Sequence, residues 1–116
     1  MREINKKYIL RFRSVDKENF DEIKKRLKTI ETRAATERYR KIKKGDTLVI
    51  VCGKNHLSKK VKQVKIFKSI NAMVKEVPIH KIMPSLNTIS EIRKVYYSYP
   101  AYKTKIRKHG IIAFYL

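Results

Sequence analysis

The sequence predicts an α+β fold, in which about five to six short strands form a small mixed β-barrel that two to three helices cover. Three observations support this prediction. Residues 8–13 alternate apolar and basic side chains, which is typical of a half-buried strand. Residues 48–52 are continuously apolar, as expected of a central strand. Thr88-Ile89-Ser90-Glu91 forms a capping box, which indicates the start of a helix.

Length and charge limit the class of protein. A chain of 116 residues fits one domain, residues 1–116, with a modest core and no need for metal or disulfide support. Its 30 Lys and Arg residues face only 10 Asp and Glu residues, so the formal net charge is +20. Nucleic acid is the commonest polyanion that a small basic domain meets, and an anionic membrane surface is the competing partner.

The first helix is expected after the strand at residues 8–13. Ser14 and Asp16 are both plausible N-caps for it. Phe20, Ile23 and Leu27 lie at i, i+3 and i+7, so they are expected to face the core. The opposite face is rich in lysine, and cations near the helix end favour either phosphate contact or simple pairing with the helix dipole.

The segment after this helix contains the candidate site residues Lys28, Glu31 and Arg33. If the segment is a strand, the period of two sends Glu31 and Arg33 to one face, while Lys28 lies at the junction. A carboxylate between two cations fits a solvated strand face. It equally fits a partly closed cleft, where Glu31 stays ionised and accepts a hydrogen bond from a ligand. Spacing alone leaves both settings open.

Residues 38–44 are predicted to be a loop in which cations surround one aromatic ring. Arg38, Tyr39, Arg40, Lys43 and Lys44 are the candidate nucleic-acid contacts in this stretch. Aromatic rings among cations suit single-stranded nucleic acid, because bases stack on the ring while the cations follow the backbone. In the alternative, Tyr39 packs onto the protein and the cations are solvated.

The rest of the chain contains further strands and helices. Residues 47–52 are predicted to form the central strand, residues 53–60 a polar basic loop that includes the candidate contact Lys54, and residues 61–67 another strand. A short helix follows and ends at Pro78. The capping-box helix ends in a cluster of tyrosines before Pro100, and a last strand occupies residues 111–116.

Residues 26–33 resemble the Gly-x-Lys-x-x-Glu-x-Arg motif of the ASCH domain family, a branch of the PUA-like fold associated with RNA. The likeness extends over most of the chain and is closest to small single-domain archaeal and bacterial members. It implies a PUA-like mixed barrel, with the tyrosine-rich helix end beside the motif cleft, so Tyr99 first and Tyr96 second are expected to line that cleft. The chain departs from the motif at Arg26, where the family has a glycine that suits a left-handed helix C-cap.

This resemblance favours an RNA-binding module, in which a basic surface and the Lys28, Glu31 and Arg33 cleft hold single-stranded or modified RNA. The alternative is a small hydrolase of RNA or of a modified nucleoside, with Lys28 and Glu31 as candidate catalytic residues. Related amidohydrolases of acylated cytidine have threonine at the position of Glu31, so whether the protein is an enzyme stays open. A protein or membrane adaptor is a third class, which no heptad or amphipathic basic helix supports.

No metal or cofactor site is expected from the sequence. Three scattered histidines and the lone Cys52 lack ligand spacing, and no glycine-rich phosphate loop occurs. The first apolar run is interrupted at Arg11 and no segment is long enough to span a bilayer, so we expect a soluble cytoplasmic protein. Its expected partner is RNA, with DNA as a possible substitute, no membrane, and the chain acting as a monomer.

Overall fold

A computed structural model describes residues 5–116 of the chain. The amino-terminal half contains one 3₁₀ turn, Ser14–Asp16, and the elements β1 Lys7–Phe12, α1 Lys17–Lys24, β2 Ile30–Ala34, α2 Glu37–Arg40, β3 Thr47–Cys52 and β4 Asn55–Lys60. The carboxyl-terminal half contains β5 Gln63–Phe67, α3 Ile70–Glu76, α4 Ile79–Ile82, α5 Ile89–Ser98, α6 Tyr102–His109 and β6 Ile111–Tyr115.

In the described part of the chain, six strands form two separate three-stranded sheets. The first sheet has the order β1-β3-β4, with β1 parallel and β4 antiparallel to the central β3. The second has the order β2-β6-β5 and is antiparallel throughout. The α+β class is therefore confirmed, but the strands within residues 5–116 form two sheets that do not close into the predicted barrel. Closure requires the edge strands of a sheet to pair with each other, whereas these two sheets pack through side chains.

Strand β6 connects the two hydrophobic clusters of the core. Its side chains alternate, so Ile112 and Phe114 pack with the first sheet and α1, while Ile111 and Ala113 pack with helices α3, α5 and α6. All four are fully buried. The second sheet consequently lies between the first sheet and the carboxyl-terminal helices. Its strand β2 presents one face to each cluster.

The helical part is larger than predicted, with six helices within residues 5–116 in place of two to three. The additional helices are short: α2 and α4 have four residues each. Proline explains part of this division, because it cannot continue a helix. Pro78 lies between α3 and α4, and Pro100 lies between α5 and α6. None of the helices within residues 5–116 has the length and hydrophobicity needed to cross a membrane.

Three local predictions are also wrong. Residues 55–60, predicted as part of a loop, form edge strand β4, which pairs with β3 beyond a turn where Gly53 adopts φ +60°. An edge strand with a solvated face can be mostly polar, and Leu57 is the one apolar residue of β4, so no apolar alternation marks this strand. Residues 37–40 form helix α2 where a loop was predicted. Leu27 is 59% exposed because α1 already ends at Lys24.

Candidate functional site

A cleft of about 300 Å³ opens where β1, β2 and the α5–α6 pair meet. The first sheet contributes the end of β1 and the residues after it, and β2 provides the floor. The tyrosines of α5 and α6 form the opposite wall. The cleft thus lies between the two sheets, and its size is at the lower end of the range in which small-molecule sites are found.

Three charged side chains form an ion cluster on the floor of the cleft. Glu31 Oε1 lies 3.4 Å from Lys28 Nζ, and Glu31 Oε2 lies 3.2 Å from Arg33 Nε. Lys28 also donates to the backbone carbonyl of Ile82 in α4. Lys28 is only 3% exposed and Glu31 only 6%. Of the two settings that the sequence left open, the structure shows the partly closed cleft.

The alternation of β2 selects which side chains reach this cluster. Glu31 pairs in register with Phe114 and Arg33 with Ile112, so both side chains lie on the sheet face that meets the first sheet. Ile30 and Ala34 belong to the other face and pack with the helices. The predicted sharing of one strand face by Glu31 and Arg33 is confirmed.

A helix C-cap aims Lys28 into the cleft. Arg26 has φ +63°, its amide donates to Ile23 O at 3.1 Å, and the amide of Leu27 donates to Glu22 O at 2.9 Å. These two bonds are the Schellman motif, in which glycine normally takes the left-handed position. Lys28 N–H also donates to Glu22 O. Arg26 therefore occupies the left-handed position that glycine usually takes in this motif.

Burial and the negative charge of Glu31 have opposite effects on the pKa values of the two cations in the ion cluster. Burial lowers the pKa of Lys28, and the neighbouring Glu31 carboxylate opposes that shift. Burial alone would lower the pKa of Arg33, but the charge and hydrogen bond of Glu31, together with Tyr39 and Tyr102, outweigh it, so the pKa is raised. The guanidinium of Arg33 lies over the Phe12 ring at 5.2 Å and near the Tyr39 ring at 5.7 Å. Packing and pairing together fix the orientation of the cluster.

Tyrosines form the opposite wall. Tyr96 is 1% exposed and its hydroxyl bonds to Thr32 Oγ1. Tyr99 and Tyr102 are half-buried, and their rings meet edge to face with centroids 5.2 Å apart. Burial raises the pKa of Tyr99 to about 12, with further contributions from Asp16 and Glu31. Burial likewise raises the pKa of Tyr102. These hydroxyls stay protonated at neutral pH and can donate hydrogen bonds.

Cations stand at the mouth of the cleft. Arg11, Arg13 and Lys105 line it and are exposed. Arg13 pairs with Asp16 at 2.9 Å, and its guanidinium lies 5.3 Å from the centroid of the Tyr99 ring. The cleft is therefore positive at its rim, aromatic along one wall and charged on its floor.

The structure unites some of the predicted site residues and separates others. Those that line the cleft are Lys28, Glu31, Arg33, Tyr39, Tyr96 and Tyr99. Those outside it are Arg38, Arg40, Lys43, Lys44 and Lys54, all of them exposed. Arg40 donates to Ala35 O at 2.6 Å and to His109 O at 2.7 Å, so its guanidinium already bonds to the protein. Tyr39 packs against the hydrophobic cluster of the first sheet and α1, as the alternative interpretation of residues 38–44 expected.

Sequence reasoning missed several lining residues, including Arg11, Arg13, Tyr102 and Lys105. The alternation of residues 8–13 placed both arginines on the outer face of a strand but gave no sign that this face turns toward β2. Tyr102 lies just beyond the tyrosine cluster, and the turn after Pro100 places it in the same wall. Within residues 5–116, no group of three or more His, Cys, Asp or Glu side chains could hold a metal ion.

Comparison with known proteins identifies the family. The model of the ASCH domain matches residues 14–116. No curated protein matches the chain. The solved structure of hypothetical protein PH0355 is similar, with a TM-score of 0.79, 28% identity, and coverage of 97% of this chain and 96% of that one. Protein PF0455 from Pyrococcus furiosus has a TM-score of 0.74, 28% identity, and 94% coverage of both chains. The chain belongs to the ASCH domain family, which is generally linked to RNA binding.

Proposed function

We propose that this protein binds single-stranded or modified RNA, with one nucleotide in the cleft and the flanking backbone on the basic surface. The observation that carries the proposal is the buried Glu31 carboxylate at the floor of an open cleft. A purely structural ion pair gains little from such a position, because desolvation offsets much of its Coulomb energy. A contact between Glu31 and a ligand would explain why this carboxylate is buried at the floor of the cleft.

Glu31 has hydrogen-bonding capacity to spare. An ionised carboxylate offers about four acceptor positions, and Lys28 and Arg33 each approach one of its two oxygens. The remaining positions suit the amino or imino group of a base. Lys28 and Arg33 can in turn donate to a base carbonyl or a phosphate oxygen. Contacts of this kind with base edges distinguish one nucleotide from another.

The other two parts of the cleft suit the rest of a nucleotide. Tyr99 and Tyr102 offer ring surface for stacking, which any base can use. Arg11, Arg13 and Lys105 at the mouth suit phosphate oxygens. Further phosphate contacts would come from the α2 patch, defined here as Arg38, Lys43 and Lys44, all exposed. The patch would increase affinity without reading sequence.

The experiment is a fluorescence anisotropy titration of labelled single-stranded RNAs of several sequences across salt concentrations, with DNA of matching sequence as competitor. We expect Glu31→Gln to change which RNA is preferred. Neutralising the α2 patch with Arg38→Gln, Lys43→Gln and Lys44→Gln should weaken all RNAs by the same factor. It should also reduce the log-log salt slope by about 2, since each single-strand phosphate contact accounts for roughly 0.7.

Two further variants separate binding from folding. Tyr99→Ala removes a partly exposed ring from the cleft and leaves the ion cluster intact, so it should weaken binding of every RNA without changing the order of preference. Glu37→Gln makes the same charge change as Glu31→Gln at an exposed site and should leave the order of RNA preference unchanged. The proposal fails if Glu31→Gln, while remaining folded, reduces binding by the same factor for every sequence, or if Tyr99→Ala leaves binding unchanged.

A hydrolase is the second candidate, and one observation favours it. Burial lowers the pKa of Lys28, so a larger fraction of this amine is unprotonated and able to act as a base than in an exposed lysine, and Glu31 lies 3.4 Å away. Thr32, the nearest hydroxyl on the strand, is already bonded to Tyr96. A denaturing gel of the titrated RNA tests this function. Cleavage that disappears in Lys28→Met and Glu31→Gln at unchanged binding would establish an enzyme, and intact RNA would exclude ribonuclease activity.

A further inference from the structure

A second concave surface lies on the other side of helix α6 from the cleft. Tyr102 and Lys105 of α6 line the cleft, whereas Lys103 and Arg107 line this second surface. Its volume is about 390 Å³. We call it the α6 groove and define it by six of its residues, which are Lys68, Asn71, Arg93, Tyr97, Lys103 and Arg107. The α5–α6 pair therefore separates two concave sites.

The α6 groove concentrates positive charge. Four of its lining residues are cations, and none of its lining residues is acidic. In the part of the chain that the structure describes, no carboxylate oxygen lies within 4.0 Å of the charged atoms of these four cations. The cleft differs, since Glu31 and Asp16 offset part of its charge. A concave surface lined by one sign of charge attracts the opposite ion.

An aromatic ring and a fixed guanidinium accompany the charge. Tyr97 is 40% exposed, which is unusual among the large hydrophobic side chains of this fold. Lys103 Nζ lies 5.6 Å from the centroid of its ring. Arg93 donates to Asn71 Oδ1, so one side of its guanidinium is held by the protein. An exposed ring between cations is the combination that single-stranded nucleic acid uses, because the bases stack while the backbone is neutralised.

We propose that the α6 groove is a second binding site for single-stranded nucleic acid, with one base on Tyr97 and adjacent phosphates on Arg93, Arg107 and Lys68. A free phosphate would use the cations alone and make no use of the ring. This site stands apart from the cleft and does not rest on the function proposed for it. A strand that occupies both sites crosses α6, whose exposed cations Lys103, Lys105 and Arg107 lie along that path.

The test begins with the full chain labelled with ¹⁵N and titrated with a uridine tetranucleotide. We expect the amide signals of residues 68–71, 93, 97, 103 and 107 to shift. Binding of a labelled twelve-nucleotide RNA is then compared among variants. Tyr97→Ala should weaken it by roughly 5- to 150-fold, as expected for the loss of one stacked base, and Tyr97→Phe should restore it.

Charge variants test the backbone contacts. Arg93→Gln with Arg107→Gln should lower the log-log salt slope by about 1.4, which corresponds to two phosphate contacts. Lys59→Gln with Lys60→Gln removes the same charge from β4 in the first sheet. This control should reduce RNA affinity less than the Arg93 and Arg107 substitutions do. Because Tyr97 and Arg107 are exposed, folding should survive these substitutions, and thermal unfolding verifies it.

The outcomes separate this site from the cleft. Repeating the titration in Tyr99→Ala should leave the shifts at residues 93, 97 and 107 in place, whatever happens to cleft binding. Equal affinity of Tyr97→Ala and the unchanged protein would overturn the proposal and indicate a simple anion contact. It would also be overturned if the Arg93 and Arg107 substitutions abolished binding to phosphatidylserine vesicles and left RNA binding unchanged, since the groove would then be a membrane contact.

Discussion

Arg26 holds a backbone conformation that is unfavourable for its residue type. A left-handed conformation costs an L-amino acid about 1–2 kcal/mol relative to the right-handed region. Arg26 nevertheless adopts φ +63° and completes the Schellman motif at the end of α1. The two capping bonds and the burial of Lys28 that follows maintain this conformation. The strain therefore lies two residues before the ion cluster, in the segment that aims Lys28.

The first prediction concerns this position. Arg26→Gly should raise the free energy of unfolding by about 1 kcal/mol, because glycine adopts positive φ without a Cβ clash. The arginine side chain is exposed, so its removal loses little packing. Chemical denaturation measures the change. Lys25→Gly, one residue earlier at φ −82°, is the matched control and should destabilise the protein. A lower stability of Arg26→Gly would contradict the argument from strain.

Lys28 makes stability depend on pH in a particular direction. Burial lowers its pKa in the folded protein below the ordinary value of about 10.4. Below the folded pKa, both states bind the proton and the burial cost is constant. Between the folded and unfolded pKa values, the unfolded chain binds more protons, so stability rises with pH. The cost disappears once pH exceeds the unfolded value.

The second prediction follows from that sign. We expect the unchanged protein to gain stability relative to Lys28→Met as pH rises from neutral toward about 10. The other lysines and tyrosines titrate in both proteins, so the difference isolates Lys28. Denaturant titrations at several pH values measure it. A difference that stays constant or shrinks would show that the Glu31 carboxylate outweighs burial and that the pKa of Lys28 is not lowered.

At the scale of residues, spacing predicted part of the site. Period two correctly placed Glu31 and Arg33 on one strand face. It did not predict that this face would be buried, because burial depends on α4 and β1. The carbonyl of Ile82 that accepts from Lys28 is distant in sequence and has no side-chain signal. A contact made by a backbone carbonyl does not depend on which residue provides it, so the sequence does not reveal it.

Helix α5 shows what local signals determine at the scale of elements. The predicted capping box is confirmed: Thr88 Oγ1 accepts from the amide of Glu91, and Glu91 Oε1 accepts from the amide of Thr88. The helix that it starts carries Tyr96 and ends next to Tyr99, and both line the cleft. The start of this helix thus determines where the tyrosine wall stands.

The third prediction tests that connection. Thr88→Ala should lower the free energy of unfolding by about 1 kcal/mol, the typical cost of losing an N-cap. Thr104→Ala, an exposed threonine inside α6, is the control and should cost less. Thermal unfolding measures both. If fraying of α5 reaches the wall, the ring signals of Tyr96 and Tyr99 in NMR spectra should broaden in Thr88→Ala alone.

Other elements could not be predicted from local pattern. Strand β4 is polar because it is an edge strand with a burial pattern of exposed and half-exposed positions. Its pairing with β3 comes from the hairpin at Gly53, and backbone bonds carry no compositional signal. Strand β6 was predictable because all its residues but the last are buried. Sequence pattern therefore predicts the buried strand β6 better than it predicts the backbone pairing of the edge strand β4.

The whole molecule carries a large uncompensated charge, which leads to the fourth prediction. With a net charge of +20, self-repulsion opposes folding at low ionic strength. We expect the melting temperature to rise between about 20 mM and 300 mM NaCl, because the Debye length falls below the spacing of surface charges. Differential scanning fluorimetry measures the rise. A melting temperature that falls with salt would mean that ion pairs dominate repulsion in the folded state.

The α+β class of the whole molecule could be predicted from the sequence, but whether its strands close into a barrel could not. Alternation and apolar runs identified most strands, and these give the α+β class. Whether the strands close a barrel depends on pairing between sheet edges, which the same patterns do not encode. The family resemblance supplied the ASCH assignment that the family model confirms. The cleft between the two sheets could be located only after both sheets were placed.

The position of β6 also affects how the chain folds during synthesis. This strand lies at the centre of the second sheet, between β2 and β5, although it follows the other described elements in sequence. The first sheet and α1 can associate while translation continues. Strand β2 cannot pair with β6 until residues 111–115 have left the ribosome. Nascent chains would therefore expose β2, with the ion cluster that the folded protein buries, until residues 111–115 have emerged.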